Sequence, residues 1–103
     1  MREPSFLILA ALAPRPAHGY GVIQAVEALS EGRVRLRAGT LYAALDRLVG
    51  DGLLAVSGEE VVDGRNRRYY AITADGRAAL AEEADRLTAN ADAARRQLGI
   101  GTA

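Results

Sequence analysis

The 103-residue chain contains no cysteine, which excludes disulfide staples and thiolate chemistry. Its one histidine, His18, leaves no His/Cys cluster for a metal. Three scattered serines, Ser5, Ser30 and Ser57, offer no partner for a histidine relay, so neither catalytic residues nor an enzyme are expected, and no cofactor. The longest apolar run, Phe6 to Ala13, is too short to span a bilayer, and Met1-Arg-Glu-Pro4 lacks the pattern of a signal peptide. The expectation is a soluble cytoplasmic protein with no membrane partner. Tryptophan and lysine are also absent, so every one of the 13 basic residues is arginine. Arginine makes bidentate contacts to phosphate or guanine, but a GC-rich genome produces the same Ala/Arg bias, and the two explanations carry equal weight.

What is present is distributed unevenly. The formal net charge of +0 argues against a protein that coats nucleic acid indiscriminately. Arg33, Arg35, Arg37 and Arg47 surround Asp46 in the middle of the chain, and Arg65, Arg67 and Arg68 form a second basic cluster. Between positions 74 and 92 the acids Asp75, Glu82, Glu83, Asp85 and Asp92 outnumber Arg77 and Arg86. The length suits one modest domain, with a second subunit supplying part of the burial.

The stretch from Arg37 to Leu54 organises the rest. Leu41, Leu45 and Leu48 recur at helical spacing and define a face that must be buried. The opposite face carries Gly39, Thr40, Ala43, Asp46 and Arg47, small or polar groups open to a partner. Gly50 and Gly52 stop the helix, and a strand-like run follows, the order of a recognition helix leading into a wing. DNA binding is therefore the leading functional expectation.

Upstream, Pro4 suits the first turn of a helix in which Phe6 to Leu12 reads as almost wholly buried, and Pro14 and Pro16 end it. A second helix begins near His18, with Val22, Val26 and Leu29 on one face and Ile23 beside it. Gly19-Tyr-Gly21 is no dinucleotide fingerprint, because no strand precedes it and a third glycine is missing. A lone histidine at a helix start is expected to cap or pack. Arg33-Val-Arg-Leu-Arg37 alternates like a short edge strand; its arginines either face phosphates or guard the edge, and only Arg37, adjoining the central helix, is assigned to DNA.

Downstream, two β-rich runs, 53–62 and 65–73, flank Asp63-Gly64, a strong hairpin signal. Tyr70, in phase with Ile72, is the tyrosine expected in the core, and the arginines at the hairpin tip are placed at phosphate or the minor groove. Thr73 offers an N-cap to a last helix in which Leu80, Ala84, Leu87, Ala91, Ala94 and Leu98 follow a heptad seam. At 1.5 Å per residue that helix extends roughly 37 Å, too far for so small a domain to cover, so its seam calls for a partner helix aided by helix one. The tail from Gly99 to Ala103 is expected to fray.

His18-Gly-Tyr20, Gly39-Thr-Leu-Tyr-Ala-Ala-Leu-Asp-Arg-Leu48, Asp51-Gly-Leu-Leu54, Arg67-Arg-Tyr-Tyr-Ala-Ile-Thr73 and Gly76-Arg77, in this order, resemble the PadR family of bacterial transcriptional regulators. The resemblance spans nearly the whole chain and implies an α+β fold, mainly α with a small β wing: a winged helix-turn-helix over residues 1–73 and a C-terminal dimerisation helix over 74–103. It further implies a homodimeric repressor on an inverted-repeat operator in double-stranded DNA, of the short-tailed type. Thr40 and Tyr42 fall on the family's Thr-Leu-Tyr motif, and Arg67 and Arg68 on its basic wing pair. With Arg37, Ala43, Arg47 and Arg65 they make the expected DNA-contacting set. Phe6 joins the seam residues as the expected dimer contacts. Tyr42 lies about 100° from the buried leucines and level with Val49, so it either packs there or meets phosphate. Some short-tailed relatives hold planar drugs between tryptophans; lacking them, this chain would have to hold a small-molecule effector with aliphatic walls, Phe6 or the tyrosines. The competing reading is a winged-helix adaptor between proteins without specific DNA binding.

Overall fold

The structure is a computed structural model that describes residues 1–101. Seven elements follow in order: α1 (Glu3–Leu12), β1 (Ala17–His18), α2 (Gly19–Leu29), α3 (Ala38–Gly50), β2 (Leu54–Val62), β3 (Arg65–Ile72) and α4 (Ala74–Leu98). Four helices with one antiparallel sheet of order β1-β3-β2 make the α+β winged helix expected from the sequence.

The core lies where α1, α2 and α3 meet and the sheet closes over them. Ile8, Leu9 and Leu12 of α1, Val22 and Val26 of α2, and Leu41, Leu45 and Leu48 of α3 are buried together with Leu54 and Tyr70. Spacing by three and four residues put each set on one stripe of its helix, and burial of each such side chain contributes about 1.5–3 kcal/mol. Tyr70 is the core tyrosine, as its phase with Ile72 requires.

Several expectations need correction. Helix α1 is buried along one face only; Phe6, Leu7, Ala10 and Ala11 are half-buried. Leu29 is 54% exposed, because α2 ends there and the chain leaves through Glu31 and Gly32, both at positive φ. Residues 33–37 form no strand. Val34 and Leu36 alternate because they pack on the core, while the Val34 amide donates to Ser30 Oγ at 2.9 Å and Arg33 is held by Glu3. The third strand is instead β1, whose two residues pair with Tyr69 and Tyr70.

The wing is a hairpin whose turn residues Asp63 and Gly64 have φ of 52° and 76°, the double left-handed geometry of a type I′ turn. A bulge between Val56 and Gly58 shifts its register. Its far end is tied to α4. The Thr73 amide donates to the Leu53 carbonyl at 3.1 Å, the Thr73 hydroxyl donates to the Gly52 carbonyl at 2.7 Å, and the same hydroxyl oxygen accepts from the Gly76 amide at 2.9 Å. Arg77 donates to the Ala13 carbonyl at 2.7 Å, clamping α4 to the end of α1.

Beyond Leu80, which packs against the core, α4 leaves the body, so that Leu87 is 41% and Leu98 71% exposed. Instead of fraying at once, the helix closes on Gly99 at φ 73°, with amides of Gly99 and Ile100 bonded to the Arg96 and Arg95 carbonyls. The end of the expected frayed tail, 102–103, lies outside the described residues. Among the described residues no helix is long and apolar enough to cross a membrane.

Two glycines make a paired test of this packing. A Cβ at Gly76 would lie 2.1 Å from the Leu53 carbonyl oxygen, whereas a Cβ at Gly50 would meet nothing within 4 Å. Gly76→Ala is expected to lower unfolding stability by about 1–3 kcal/mol or more, and Gly50→Ala to leave it unchanged or slightly raised. Thermal and urea unfolding of both variants measure the difference, and equal behaviour would mean that α4 is not seated on Leu53.

Candidate nucleic-acid interface

Burial of Leu41, Ala44, Leu45 and Leu48 turns the other side of α3 outward, and Gly39, Thr40, Ala43, Asp46 and Arg47 are exposed as their spacing predicts, as is Tyr42, whose place the spacing left open. The helix has no side-chain cap from Arg37, so its first-turn amides stand at the surface. Arg37 is exposed and takes part in no ion pair among the described residues. Its two neighbours in the basic run are engaged: Arg33 holds Glu3 through two 2.8 Å hydrogen bonds, keeping that carboxyl below its ordinary pKa, and Arg35 reaches Glu27 at 3.0 Å.

An open groove runs between α3, the start of α2 and the wing. His18, Tyr20, Tyr42, Asp46, Arg65, Arg67 and Arg68 line it, with Val62, Asp63 and Asn66 at the hairpin end and the buried Tyr70 beneath. His18 is the N-cap of α2, its Nδ1 accepting from the Gly21 amide at 3.3 Å. The ring stands edge-on to Tyr69, with centroids 5.5 Å apart. Tyr42 is 47% exposed and leans over Gly19, where a Cβ would fall 2.5 Å from its hydroxyl. The glycine thus makes room for the ring.

On the wing, Arg68 Nε is 3.2 Å from Glu59 Oε1, and Arg67 stands opposite Glu60 in the register. Glu60 accepts from the Tyr69 hydroxyl, and that hydrogen bond, which only the protonated phenol can donate, pushes the phenol above its ordinary pKa. An exposed ion pair such as that of Arg68 with Glu59 is weak in water, so a phosphate can take over its arginine. Arg65, next to the turn, is exposed and lies opposite Val62.

Of the residues expected to contact DNA, Tyr42, Arg65, Arg67 and Arg68 converge on this groove, while Arg37, Thr40 and Ala43 lie on the exposed first half of α3 beside it. Arg47 points elsewhere. Its Nη2 donates to the buried Ser5 Oγ at 3.2 Å, at a separate recess between α1 and the end of α3 that Arg2 and Asp51 also line. Asp46, expected on the open face of α3 but not among the DNA contacts, also lines the groove, and His18 and Tyr20 were not expected there. Asp46 had a signal, being one turn from Tyr42, whereas the other two reach the groove only because β1 pairs with β3.

A family model described as the transcriptional regulator PadR-like family matches residues 8–82. The chain belongs to the PadR-like family. It is 49% identical over 76 residues to the transcriptional regulator Rv3488 of Mycobacterium tuberculosis, covering 74% of this chain and 67% of that protein. A PadR family transcriptional regulator from Eggerthella lenta superposes with a TM-score of 0.76 at 29% identity, covering 91% of this chain and 80% of that one. The structure of Bacillus subtilis PadR in complex with operator DNA matches with a TM-score of 0.69 at 17% identity over 79% of this chain and 46% of that one, a likeness of fold. As a PadR-like protein this chain is a transcriptional regulator and not an enzyme. The family match ends at residue 82, so the exposed half of this PadR-like chain's α4, with Leu87 and Leu98, lies beyond it.

The Gly19 contact generates a local prediction. Gly19→Ala should displace the Tyr42 ring while changing stability by less than about 1 kcal/mol, since α2 begins there and an exposed ring can swing aside. Proton NMR of the tyrosine rings checks this; an undisturbed Tyr42 signal would show that the ring does not rest on Gly19.

Proposed function

We propose that the protein is a sequence-specific DNA-binding repressor that acts in the cytoplasm as a homodimer on an inverted-repeat operator, with residues 1–73 as its DNA-binding unit and α4 as its dimerisation helix. The observation that carries this reading is the convergence of Tyr42, Arg65, Arg67 and Arg68 on one groove beside the open outer face of α3. A groove of this charge tracks a phosphate backbone while the adjoining helix enters the major groove. The operator complex of Bacillus subtilis PadR shows the same fold engaged with DNA. In this reading Arg37, Thr40, Tyr42, Ala43 and Arg47 contact DNA from α3 and its cap, and Arg65, Arg67 and Arg68 contact it from the wing. Arg47, turned to Ser5 and with no ion pair among the described residues, would meet the backbone only on the far flank of the helix.

Binding titrations against selected and scrambled duplexes at several salt concentrations test the surface. Arg67→Ala should weaken both duplexes about equally and reduce the slope of log K against log salt by about 0.9 per lost phosphate contact in each subunit. Arg37→Ala should act in the same way. If both variants bind every duplex as the wild type does, the surface is misplaced and an adaptor role moves ahead.

The dimer rests on the exposed seam. Leu87 and Leu98 lie open with Ala94, while Ala84 and Ala91 are half-buried and Phe6 is half-buried on α1. Leu80 is mostly engaged by the protein's own core and contributes less than its place in the seam suggested. Leu87→Asp should give a monomer, because two carboxylates replace apolar contact worth about 1.5–3 kcal/mol per leucine. Sedimentation at micromolar concentration decides this, and a dimeric variant would remove α4 from the interface.

A further inference from the structure

Asp46 is the one acid that the recognition helix contributes to the groove. It is exposed, one helical turn beyond Tyr42, and it lines the same recess as Arg65, Arg67 and Arg68, yet among the described residues it forms no ion pair with any of them. Its neighbour Arg47 is drawn away to Ser5 and does not neutralise it. A carboxylate in this position is repelled by every phosphate, so it lowers affinity for DNA of any sequence unless it finds a donor. The major groove presents two such donors, the N4 amino group of cytosine and the N6 amino group of adenine. Adenine sets its amino group beside the N7 acceptor, which repels a carboxylate and suits an amide. Cytosine offers its amino group with no acceptor beside it on the same ring, which suits Asp.

We infer that Asp46 is a specificity-determining residue that accepts a hydrogen bond from the N4 amino group of one cytosine in each half-site and penalises duplexes lacking it. This rests on the DNA-binding reading above. It assigns to α3 a discriminating contact made by an acid, while the arginines around it supply affinity that is blind to sequence. The wild-type preference therefore arises partly from repulsion: a duplex with another base at that position leaves the carboxylate facing a poor partner next to the phosphates.

Selection of duplexes from a randomised library by the wild type, Asp46→Ala and Asp46→Asn, followed by titration of the selected duplexes, tests the inference. Because Asp46 is exposed, both variants should melt with the wild-type profile. The wild type should enrich cytosine at one symmetric position and lose roughly ten-fold or more in affinity when that base is changed. Asp46→Ala should lose that enrichment alone and bind scrambled duplex more tightly than the wild type. Asp46→Asn should move the preference at that position toward adenine. Retention of the same cytosine by both variants overturns the inference, and so does an equal gain by both on every duplex, which would reduce Asp46 to general repulsion. If the wild type prefers no duplex over a scrambled control at any salt concentration, the DNA-binding reading itself falls, an outcome distinct from the other two.

Discussion

The backbone of Gly76 lies so close to the Leu53 carbonyl that a side chain cannot stand between them. Around that contact the Thr73 amide and hydroxyl hold the Leu53 and Gly52 carbonyls, so the exit of α3, the start of β2, the end of β3 and the start of α4 meet at one point. Each of these bonds satisfies a backbone group that would otherwise be orphaned at an element boundary. Together they set the angle at which the wing leaves α3. The groove between wing and helix depends on that angle, because its arginines sit at the opposite end of a long hairpin where a small rotation becomes a large displacement. The joint thus shapes a surface that it does not touch.

Charge is handled by local pairing. Arg33 and Arg35 are matched by Glu3 and Glu27 on the helices beside them, and Arg86 and Arg95 by Glu83 and Asp92 on α4. The net charge of +0 therefore conceals Arg37, Arg65 and Arg67, which stand at or beside the groove with no ion pair among the described residues. Arg68 is paired with Glu59, but in water an exposed pair is weak, and a phosphate carrying a full charge with several acceptor oxygens competes well for it. A protein arranged in this way is only modestly attractive to polyanions from a distance, and gains its contacts once the groove is seated.

Most of the architecture was legible because it rests on local rules. The leucine spacing of α3, the Asp63-Gly64 turn and the Thr73 cap each follow from constraints within a few residues, and all three appear in the structure. The misreadings share one cause, which is that a pattern within a segment does not say what lies beside it. Alternation in residues 33–37 looks like a strand, yet the apolar positions face helices and no strand lies alongside. The two residues of β1 carry no signal of their own and become a strand only through Tyr69 and Tyr70. Helical periodicity placed Arg47 on the outer face of α3, but the direction of a long side chain was decided by Ser5, 42 residues earlier in the chain. For the same reason Asp46, read on the open face of α3, was left out of the DNA-contacting set until the wing was folded beside it.

The outer half of α4 obeys a different constraint from the rest. A 25-residue helix attached to a body whose other dimensions are 27 and 21 Å must extend past what it can pack on. Its alanines bring little apolar area to any contact, but they let another helix approach closely, and its arginines and acids pair along its own surface. Paired with a second copy as proposed, such a seam would give modest affinity with defined spacing. On the inverted repeat proposed above, that combination would be effective, because the second half-site would be bound at a high local concentration once the first is held, and modest dimer affinity would suffice with the right spacing. In the proposed dimer the rigid link from Gly76 into α4 would supply the spacing, since the same hydrogen bonds that orient the wing also fix the direction in which the helix departs.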